Sequence, residues 1–109
     1  MKYMTLREMC DAADVSRRAV QGYEKVGLVS ASGKNEYGHL LYDVSSQERI
    51  KKIKFFQQLG FTVREIKSII DAPNDVLKSA LEERVKKLKE EEEYMECLIS
   101  KAYELIEML

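Results

Sequence analysis

Apolar residues recur at helical spacing near the start of the chain. The first set follows the i, i+3, i+4, i+7 pattern of one helix face and comprises Leu6, Met9, Cys10 and Ala13. Thr5 and Glu8 stand in front of it with the spacing of a capping box. A second helix can begin after Ser16, a good N-cap residue, and end at Gly27. The pattern predicts two short helices joined by a tight turn over residues 5–27.

The next segment has the pattern of a β-hairpin. Extended runs begin at Leu28 and at His39, and residues 30–38 between them are rich in turn formers. The predicted hairpin carries Lys34, Asn35 and Tyr37 at its tip, where they suit contact with a phosphate backbone. A plain surface loop fits this stretch equally well.

Two more helices are predicted before residue 73. The first has Asp43 or Ser45 as its N-cap, a buried stripe of Ile50, Ile53, Phe56 and Leu59, and a stop at Gly60. The second starts with a capping box of Thr62 and Glu65 and ends before Pro73, which disfavours helix at the preceding residue.

Residues 74–109 are predicted to form one long helix capped by Asn74. A heptad pattern runs along it, with Leu81, Leu88, Met95, Ala102 and Leu109 at a, Leu77, Leu98 and Leu105 at d, and Val85, Ile99 and Ile106 at e. Arg84 and Glu91 interrupt the d row, and the run from Glu90 to Glu93 is interpreted as a solvated face. A helix about 50 Å long has more apolar surface than a small head covers. We therefore expect it to pair with the same helix of a second copy, in a homodimer whose orientation the heptads leave open.

Composition divides the 109 residues into two parts. Residues 1–70 hold 12 Lys and Arg against 8 Asp and Glu (+4), and residues 71–109 hold 6 against 11 (−5), which gives the net charge of −1. A basic front and an acidic back fit a nucleic-acid-binding head with a solvated tail. We expect a DNA-binding domain over residues 1–72 and a dimerisation helix over residues 73–109.

Several functional classes are disfavoured. The chain has no long apolar run and no apolar segment of a signal peptide, so we expect no membrane partner and a cytoplasmic protein. Cys10 and Cys97 lack the spacing of a zinc module or a disulfide framework, and we expect no metal and no cofactor. One His and no nucleophile motif or phosphate-cradling loop argue against an enzyme.

The second helix carries the chemistry of a reader of DNA. Arg17 and Arg18 fall in its first turn and Gln21 in the next, and Arg suits the edge of guanine while Gln suits that of adenine. A short helix of this kind fits the major groove. From this pattern alone, an ordinary helical hairpin with a solvated basic turn stays equally open.

Three motifs in order, DVSRRAVQGYEKVGLV, GHLLYD and QLGFTVREIKSII, followed by one long helix, resemble the mercury-resistance-regulator (MerR) family of bacterial transcription factors. The resemblance covers residues 3–109. It implies a mainly α fold, in which a winged helix-turn-helix head with a small β-hairpin wing precedes an antiparallel coiled-coil helix. It also implies a second wing near residues 59–62. The candidate DNA contacts are Ser16, Arg17, Arg18, Gln21, Tyr23, Lys34, Asn35, Tyr37, His39 and Tyr42.

Within that set the resemblance implies different roles. Arg18, Tyr23 and Tyr42 would hold phosphates, and Arg17 and Gln21 would read bases. The chain departs from the family at Gln21-Gly22, where Arg-Tyr is usual, and at His39-Leu40, where Tyr-Arg is usual. Backbone contacts can therefore move to His39, Lys34 and Tyr37. A glycine within a helix costs about 1 kcal/mol relative to alanine, which close approach to DNA or to a neighbouring helix would explain.

The resulting hypothesis is a homodimeric regulator of a pseudo-palindromic promoter site on double-stranded DNA. The resemblance implies that it distorts promoter DNA for RNA polymerase. Two alternatives stay open: an excisionase-like architectural protein that bends DNA, and a coiled-coil adaptor that binds protein. Tyr94, Met95, Tyr103 and Met108 are candidates to line a small-molecule site, although such residues more often pack a dimer.

Overall fold

Each helix of the head begins where the sequence offers a cap. The computed structural model describes residues 2–109, and its elements are β1 (Met4–Thr5), α1 (Leu6–Ala13), α2 (Arg17–Lys25), β2 (Gly33–Lys34), β3 (Leu40–Tyr42), α3 (Val44–Leu59), α4 (Val63–Ile69) and α5 (Asn74–Met108). Of the predicted capping boxes, those of Thr5 with Glu8 and of Thr62 with Glu65 form. The Thr5 hydroxyl accepts from the Glu8 amide at 3.3 Å and the Glu8 carboxylate accepts from the Thr5 amide at 2.9 Å. Thr62 and Glu65 do the same ahead of α4.

Two helices of the head end at or just before a glycine. Gly27 has φ +81° after α2, and Leu28 donates its amide to the Tyr23 carbonyl at 2.9 Å. Gly60 has φ 107° at the end of α3, where the Phe61 amide reaches the Phe56 carbonyl at 3.1 Å. Glycine is the residue that tolerates this left-handed conformation at a helix terminus.

Two cap assignments are now decided. Asp43 caps α3, because its carboxylate accepts from the Ser46 amide at 2.8 Å. The prediction that Asn74 caps α5 is wrong: Pro73 is the N-cap, Asn74 is the first helical residue, and no side chain caps the helix. The Pro73 carbonyl instead accepts from the amides of Val76 and Leu77.

The sheet has three short antiparallel strands in the order β1-β3-β2, with Met4 opposite Tyr42 and Gly33 opposite Leu41. The predicted strand beginning at Leu28 is not there. The Leu28 amide is used by the end of α2, and its side chain is buried in the core. The hairpin is therefore shorter than predicted, and β1 was not predicted.

The core of the head lies between α1–α4 and the sheet. Its fully buried side chains are Met9, Val20, Tyr23, Tyr42, Ile50, Ile53 and Ile66. The chain divides into two compact units, one up to Asp71 and one from Ala72 onward. The predicted mainly α architecture with a small β-hairpin wing and a long final helix is confirmed.

The second unit is built from α5. This helix has 35 residues and no buried residue, and its apolar side chains are exposed or half-buried in the single chain. Among residues 2–109, no helix combines the length and the apolar character needed to cross a membrane.

Candidate nucleic-acid interface

A tight turn fixes α1 against α2. Asp14 adopts the left-handed conformation with φ 52°, which Asp tolerates better than most residues. The Val15 amide donates to the Cys10 carbonyl at 3.1 Å. From α3, the Lys54 ammonium donates to the Asp14 carbonyl at 2.8 Å. The backbone and a charged side chain therefore both hold the angle between the two helices.

The second helix of this pair divides into a buried face and an exposed face. Val20 and Tyr23 are buried. Arg17, Arg18 and Gln21 are all exposed. Ser16 caps the helix as predicted, with its hydroxyl accepting from the Ala19 amide at 3.0 Å. Because this hydroxyl serves the helix, Ser16 positions the arginines that follow it. The exposed face is the one that a helix-turn-helix protein offers to the major groove.

Gly22 lies in the same exposed part of α2. A Cβ built on it would have no heavy atom of the described chain within 4 Å, beyond its neighbours and its own helix backbone. Close approach to a neighbouring helix is therefore not the reason for this glycine. Close approach to DNA stays a prediction.

The wing is held by its own asparagine. The Asn35 side-chain oxygen accepts from the amides of Tyr37 and His39, both at 2.9 Å, and Gly38 completes the turn with φ +80°. Asn35 is thus committed to shaping the tip. Tyr37 is 77% exposed at that tip, and its ring centroid lies 6.4 Å from that of His39.

A cleft joins the wing to the helix pair. It is lined by Thr5, Leu6, Arg7, Arg17, His39 and Leu40. Arg7, in the first turn of α1, was not among the sequence-predicted contacts. The sequence could have indicated this contact, because the first helix of a helix-turn-helix crosses the DNA backbone. Two guanidinium groups and an imidazole in one cleft suit an anionic group such as a phosphate.

Two predicted phosphate contacts lie inside the head. Tyr23 and Tyr42 are 2% and 0% exposed. The Tyr23 hydroxyl donates to the Gln57 side-chain oxygen, and the Tyr42 hydroxyl donates to the Glu24 carboxylate. Burial raises the pKa of both phenols, and the neighbouring Glu24 carboxylate raises that of Tyr42 further. Both tyrosines therefore pack the core and tie α2 to the rest of the head.

An arginine anchors the loop that connects α2 to the wing. Arg49 of α3 donates through Nε to the Leu28 carbonyl and makes two parallel hydrogen bonds to the Asp71 carboxylate, at 2.8 and 2.7 Å. The guanidinium lowers the pKa of Asp71 below its usual value. The position of the wing relative to α2 thus depends on a residue outside both.

Among residues 2–109, no group of three or more His, Cys, Asp or Glu side chains lies close enough together to hold a metal ion. Cys10 is half-buried and burial raises the pKa of its thiol, whereas Cys97 is exposed on α5.

The helix pair, the exposed basic helix and the wing define the class of winged helix-turn-helix DNA-binding folds. The MerR HTH family of regulatory proteins matches residues 4–73, and the chain belongs to this family. The family consists of transcription regulators rather than enzymes.

Individual relatives agree with this assignment. The HTH-type transcriptional activator mta of Bacillus subtilis is 31% identical over 99 residues, which are 91% of this chain and 38% of that protein. The mercuric resistance operon regulatory protein of Bacillus cereus is 32% identical over 63 residues, 58% of this chain and 48% of that protein. The chain spans about two fifths of the length of mta.

Solved structures agree as well. The N-terminal part of the Bacillus subtilis multidrug transporter activator, MtaN, superposes with a TM-score of 0.71 at 27% identity and covers 94% of this chain and 97% of that one. HiNmlR, a MerR family regulator lacking the sensor domain and bound to promoter DNA, has a TM-score of 0.75 at 18% identity. The match covers 91% of this chain and 80% of that one, and at this identity it supports the fold alone.

Proposed function

We propose that this chain binds double-stranded promoter DNA as a homodimer and regulates transcription. The observation that carries the proposal is the exposed face of α2, where Arg17, Arg18 and Gln21 stand together on a helix that the Ser16 cap and the buried Val20 and Tyr23 hold in place. A relative of the same fold is bound to promoter DNA.

The contacts divide by chemistry. Arg17 and Gln21 read base edges in the major groove, since their side chains pair with guanine and adenine. Arg18 holds a phosphate beside them. Arg7 and His39 line the same cleft as Arg17, and we assign to that cleft a phosphate of the adjacent backbone. Such contacts fix the register of the protein on the duplex.

The wing extends this surface along the backbone. Lys34 and Tyr37 are exposed on the hairpin, and Asn35 shapes its tip through its side-chain oxygen. We assign phosphate contacts to Lys34 and Tyr37 and a positioning role to Asn35. Tyr23 and Tyr42 are left out of the interface because their hydroxyls are used within the head.

The dimer follows from the second unit. The exposed apolar residues along α5 are too many for a helix that functions alone in water. A two-fold homodimer presents two heads to two half-sites, so the operator is pseudo-palindromic. Members of this family are regulators, and we propose that the dimer acts at the promoter, where it distorts the DNA for RNA polymerase.

The test is a footprint on DNA upstream of the protein's own gene. We expect protection of one inverted repeat, with affinity that falls as salt rises. The variant Arg17→Glu/Arg18→Glu abolishes protection. Lys86→Glu/Lys87→Glu on α5 makes the same change in net charge and leaves protection in place. Equal loss in both variants would mean that only overall charge matters.

A second measurement decides what binding does. Transcription from the footprinted promoter with purified polymerase changes when the protein is added, if the chain is a regulator. DNA bending without a change in transcript would instead identify an architectural, excisionase-like protein. Absence of any preferred duplex, with Arg17→Glu/Arg18→Glu unaffected in its cellular role, would identify a protein-binding adaptor.

A further inference from the structure

His39 is the only histidine of the chain, and it lies in the cleft to which a DNA phosphate is assigned above. Imidazole is the side chain that ordinarily changes its charge between about pH 5 and about pH 8. A phosphate contact made by this ring therefore differs from one made by an arginine, whose guanidinium stays charged throughout that range.

The wing holds the backbone of His39 on both sides. The His39 amide donates to the Asn35 side-chain oxygen at 2.9 Å, and the His39 carbonyl accepts from the Asn35 amide at 2.9 Å. The His39 side chain is exposed, and its ring centroid lies 6.4 Å from that of Tyr37. Within residues 2–109, the hydrogen bonds of His39 all use its backbone. The position of the ring is thus fixed while both of its nitrogens can contact a ligand.

The charged groups that line the cleft with His39 are both cationic. Arg7 enters the cleft from α1 and Arg17 from α2, and both side chains are exposed. The other lining residues, Thr5, Leu6 and Leu40, carry no charge. In the free protein, two guanidinium groups oppose a third positive charge on the imidazole. A phosphate in the cleft offsets this repulsion, because its negative charge favours the protonated ring.

The wing brings three further titratable groups to this region. Lys34 lies on the neighbouring strand β2, where it pairs with Leu40, and Glu36 and Tyr37 lie in the turn before His39. Lysine, glutamate and tyrosine side chains ordinarily change charge well outside the range from about pH 5.5 to about pH 8. They therefore influence the imidazole with a constant charge.

The helices contribute the remaining acidic and thiol groups, which are Glu8, Cys10 and Asp11 on α1 and Glu24 on α2. Glu8 accepts a backbone amide in its capping box, which lowers its pKa, and Glu24 accepts the Tyr42 hydroxyl. Burial raises the pKa of the Cys10 thiol. Asp11 is exposed, and free carboxylates titrate near pH 4. Among the side chains of the wing, α1 and α2, His39 is thus the one whose charge changes near neutral pH.

Given the DNA binding proposed above, we propose that His39 takes up a proton when the cleft binds a DNA phosphate, so that each head binds its operator more tightly as the pH falls from about 8 to about 5.5. The protonated ring donates to a phosphate oxygen in a charge-assisted hydrogen bond, beside the guanidinium groups of Arg7 and Arg17. The proton comes from the solvent and returns to it when the DNA dissociates.

Linkage sets the direction of the effect. A ligand that binds better to the protonated form of a group takes up protons on binding, and its affinity falls as the pH rises through the titration of that group. Each head has one histidine, so a dimer takes up at most two protons. Above this range the neutral ring keeps one N–H donor and the two arginines keep their charge, so binding becomes weaker without being abolished.

The anisotropy of labelled operator DNA, titrated at constant ionic strength, measures the coupling. We expect the affinity of the wild type to fall by about tenfold for each head between about pH 5.5 and about pH 8. His39→Gln keeps a neutral N–H donor, and its affinity should stay near the weak wild-type value at both pH values. His39→Arg carries a permanent charge, and its affinity should stay near the tight value. An equal pH dependence in the wild type and in His39→Gln would overturn the proposal.

Lys34→Gln is the matched control. It removes an exposed cation from the neighbouring strand, and Lys34 does not line the cleft. We expect its affinity to be lower than that of the wild type by the same factor at every pH, with the pH dependence unchanged. Loss of the pH dependence in Lys34→Gln would assign the effect to the total charge of the wing and would overturn the role of His39.

Calorimetry measures the proton directly. When the operator is titrated near neutral pH in two buffers with different heats of ionisation, the difference in binding heat gives the number of protons exchanged. We expect uptake of protons by the wild type and none by His39→Gln. Binding of the wild type without uptake would mean that the neutral ring makes the contact, and the proposal would fail.

Failure of the proposed function gives a different result. If neither the wild type nor His39→Arg prefers any duplex at any pH, the proposed DNA binding itself is overturned. Protection of the operator that does not change with pH overturns only the role of the proton.

Discussion

At the scale of single residues, we expect a substitution at Gly22 to have opposite effects on the stability of the protein and on its affinity for DNA. It lies within the exposed face of α2 and a Cβ there meets nothing in the described chain. We expect Gly22→Ala to raise the free energy of unfolding by about 1 kcal/mol, because alanine is the better helix former. We expect the same variant to bind operator DNA at least tenfold more weakly, roughly 1.4 kcal/mol, because the methyl group meets the groove.

The two readouts are denaturant unfolding of the free protein and a gel-shift titration of the operator. A variant that is more stable and binds as tightly as the wild type would show that the glycine is not needed for DNA approach. Loss of both would point to a changed helix rather than a contact at the surface.

A variant of Tyr42 distinguishes two roles for this residue. The resemblance to the family implies a phosphate contact, whereas the structure buries the side chain in the core. Tyr42→Phe removes the hydroxyl that donates to Glu24. We expect a loss of about 1.5–3 kcal/mol in stability, the usual net value of a hydrogen bond to a charged group. The dependence of DNA affinity on salt stays as in the wild type, since no phosphate contact is lost.

Arg18→Ala is the matched comparison for that experiment. It removes an exposed cation from α2, and its salt slope falls by about 1 with little change in stability. If Tyr42→Phe lowered the salt slope in the same way, its hydroxyl would be a phosphate contact after all.

At the scale of elements, the ion pair between Arg49 and Asp71 makes the stability of the head depend on pH. The guanidinium lowers the pKa of Asp71 from its usual 3.8 in the folded state. A carboxyl group with a lowered folded pKa contributes stability above its unfolded pKa and loses that contribution as the pH falls through the folded value. We expect Asp71→Asn to be less stable than the wild type at pH 7 and equal to it well below pH 3.8.

Urea unfolding at several pH values measures this difference. Glu36→Gln, at the exposed wing tip, is the control and should leave the stability curve unchanged. A difference in stability between Asp71→Asn and the wild type that persists at low pH would mean that the charge of the Asp71 carboxylate is not what stabilises the pair with Arg49.

The elements also show what the sequence could predict. Helix starts were predicted well where a cap and its box lie within four residues, as at Thr5 and Thr62, because these signals are local. The strands were predicted less well. They are two or three residues long, too short to show alternation, and Leu28 resembles a strand residue but serves the end of α2.

The sequence likewise predicted the candidate site only in part. Exposed positions on α2 followed from helical spacing after Ser16. The burial of Tyr23 and Tyr42 depends on partners 34 and 18 residues away, Gln57 and Glu24, which no local pattern indicates. Arg7 joins Arg17 and His39 only through the fold.

At the scale of the whole molecule, the basic head and the acidic tail give salt two opposite effects. DNA binding weakens with salt because each phosphate contact releases counterions. Residues 71–109 hold 6 Lys and Arg against 11 Asp and Glu, so two copies that pair through α5 repel each other by their net negative charge. Screening reduces their repulsion, so we expect dimerisation to strengthen by roughly fivefold, about 1 kcal/mol, between about 0.05 M and about 0.5 M salt.

Sedimentation equilibrium across that range measures the effect, and one residue tests its origin. Glu92 is at an e position, beside the apolar rows of the heptad pattern. Glu92→Gln should tighten the dimer at low salt and flatten the salt dependence, whereas Glu107→Gln, on the outer face, should do neither. A dimer that weakens with salt would mean that opposite charges face each other, as they would if Lys86–Lys89 of one copy lay against Glu90–Glu93 of the other. The sign of the salt effect therefore shows whether like or opposite charges face each other across the proposed dimer.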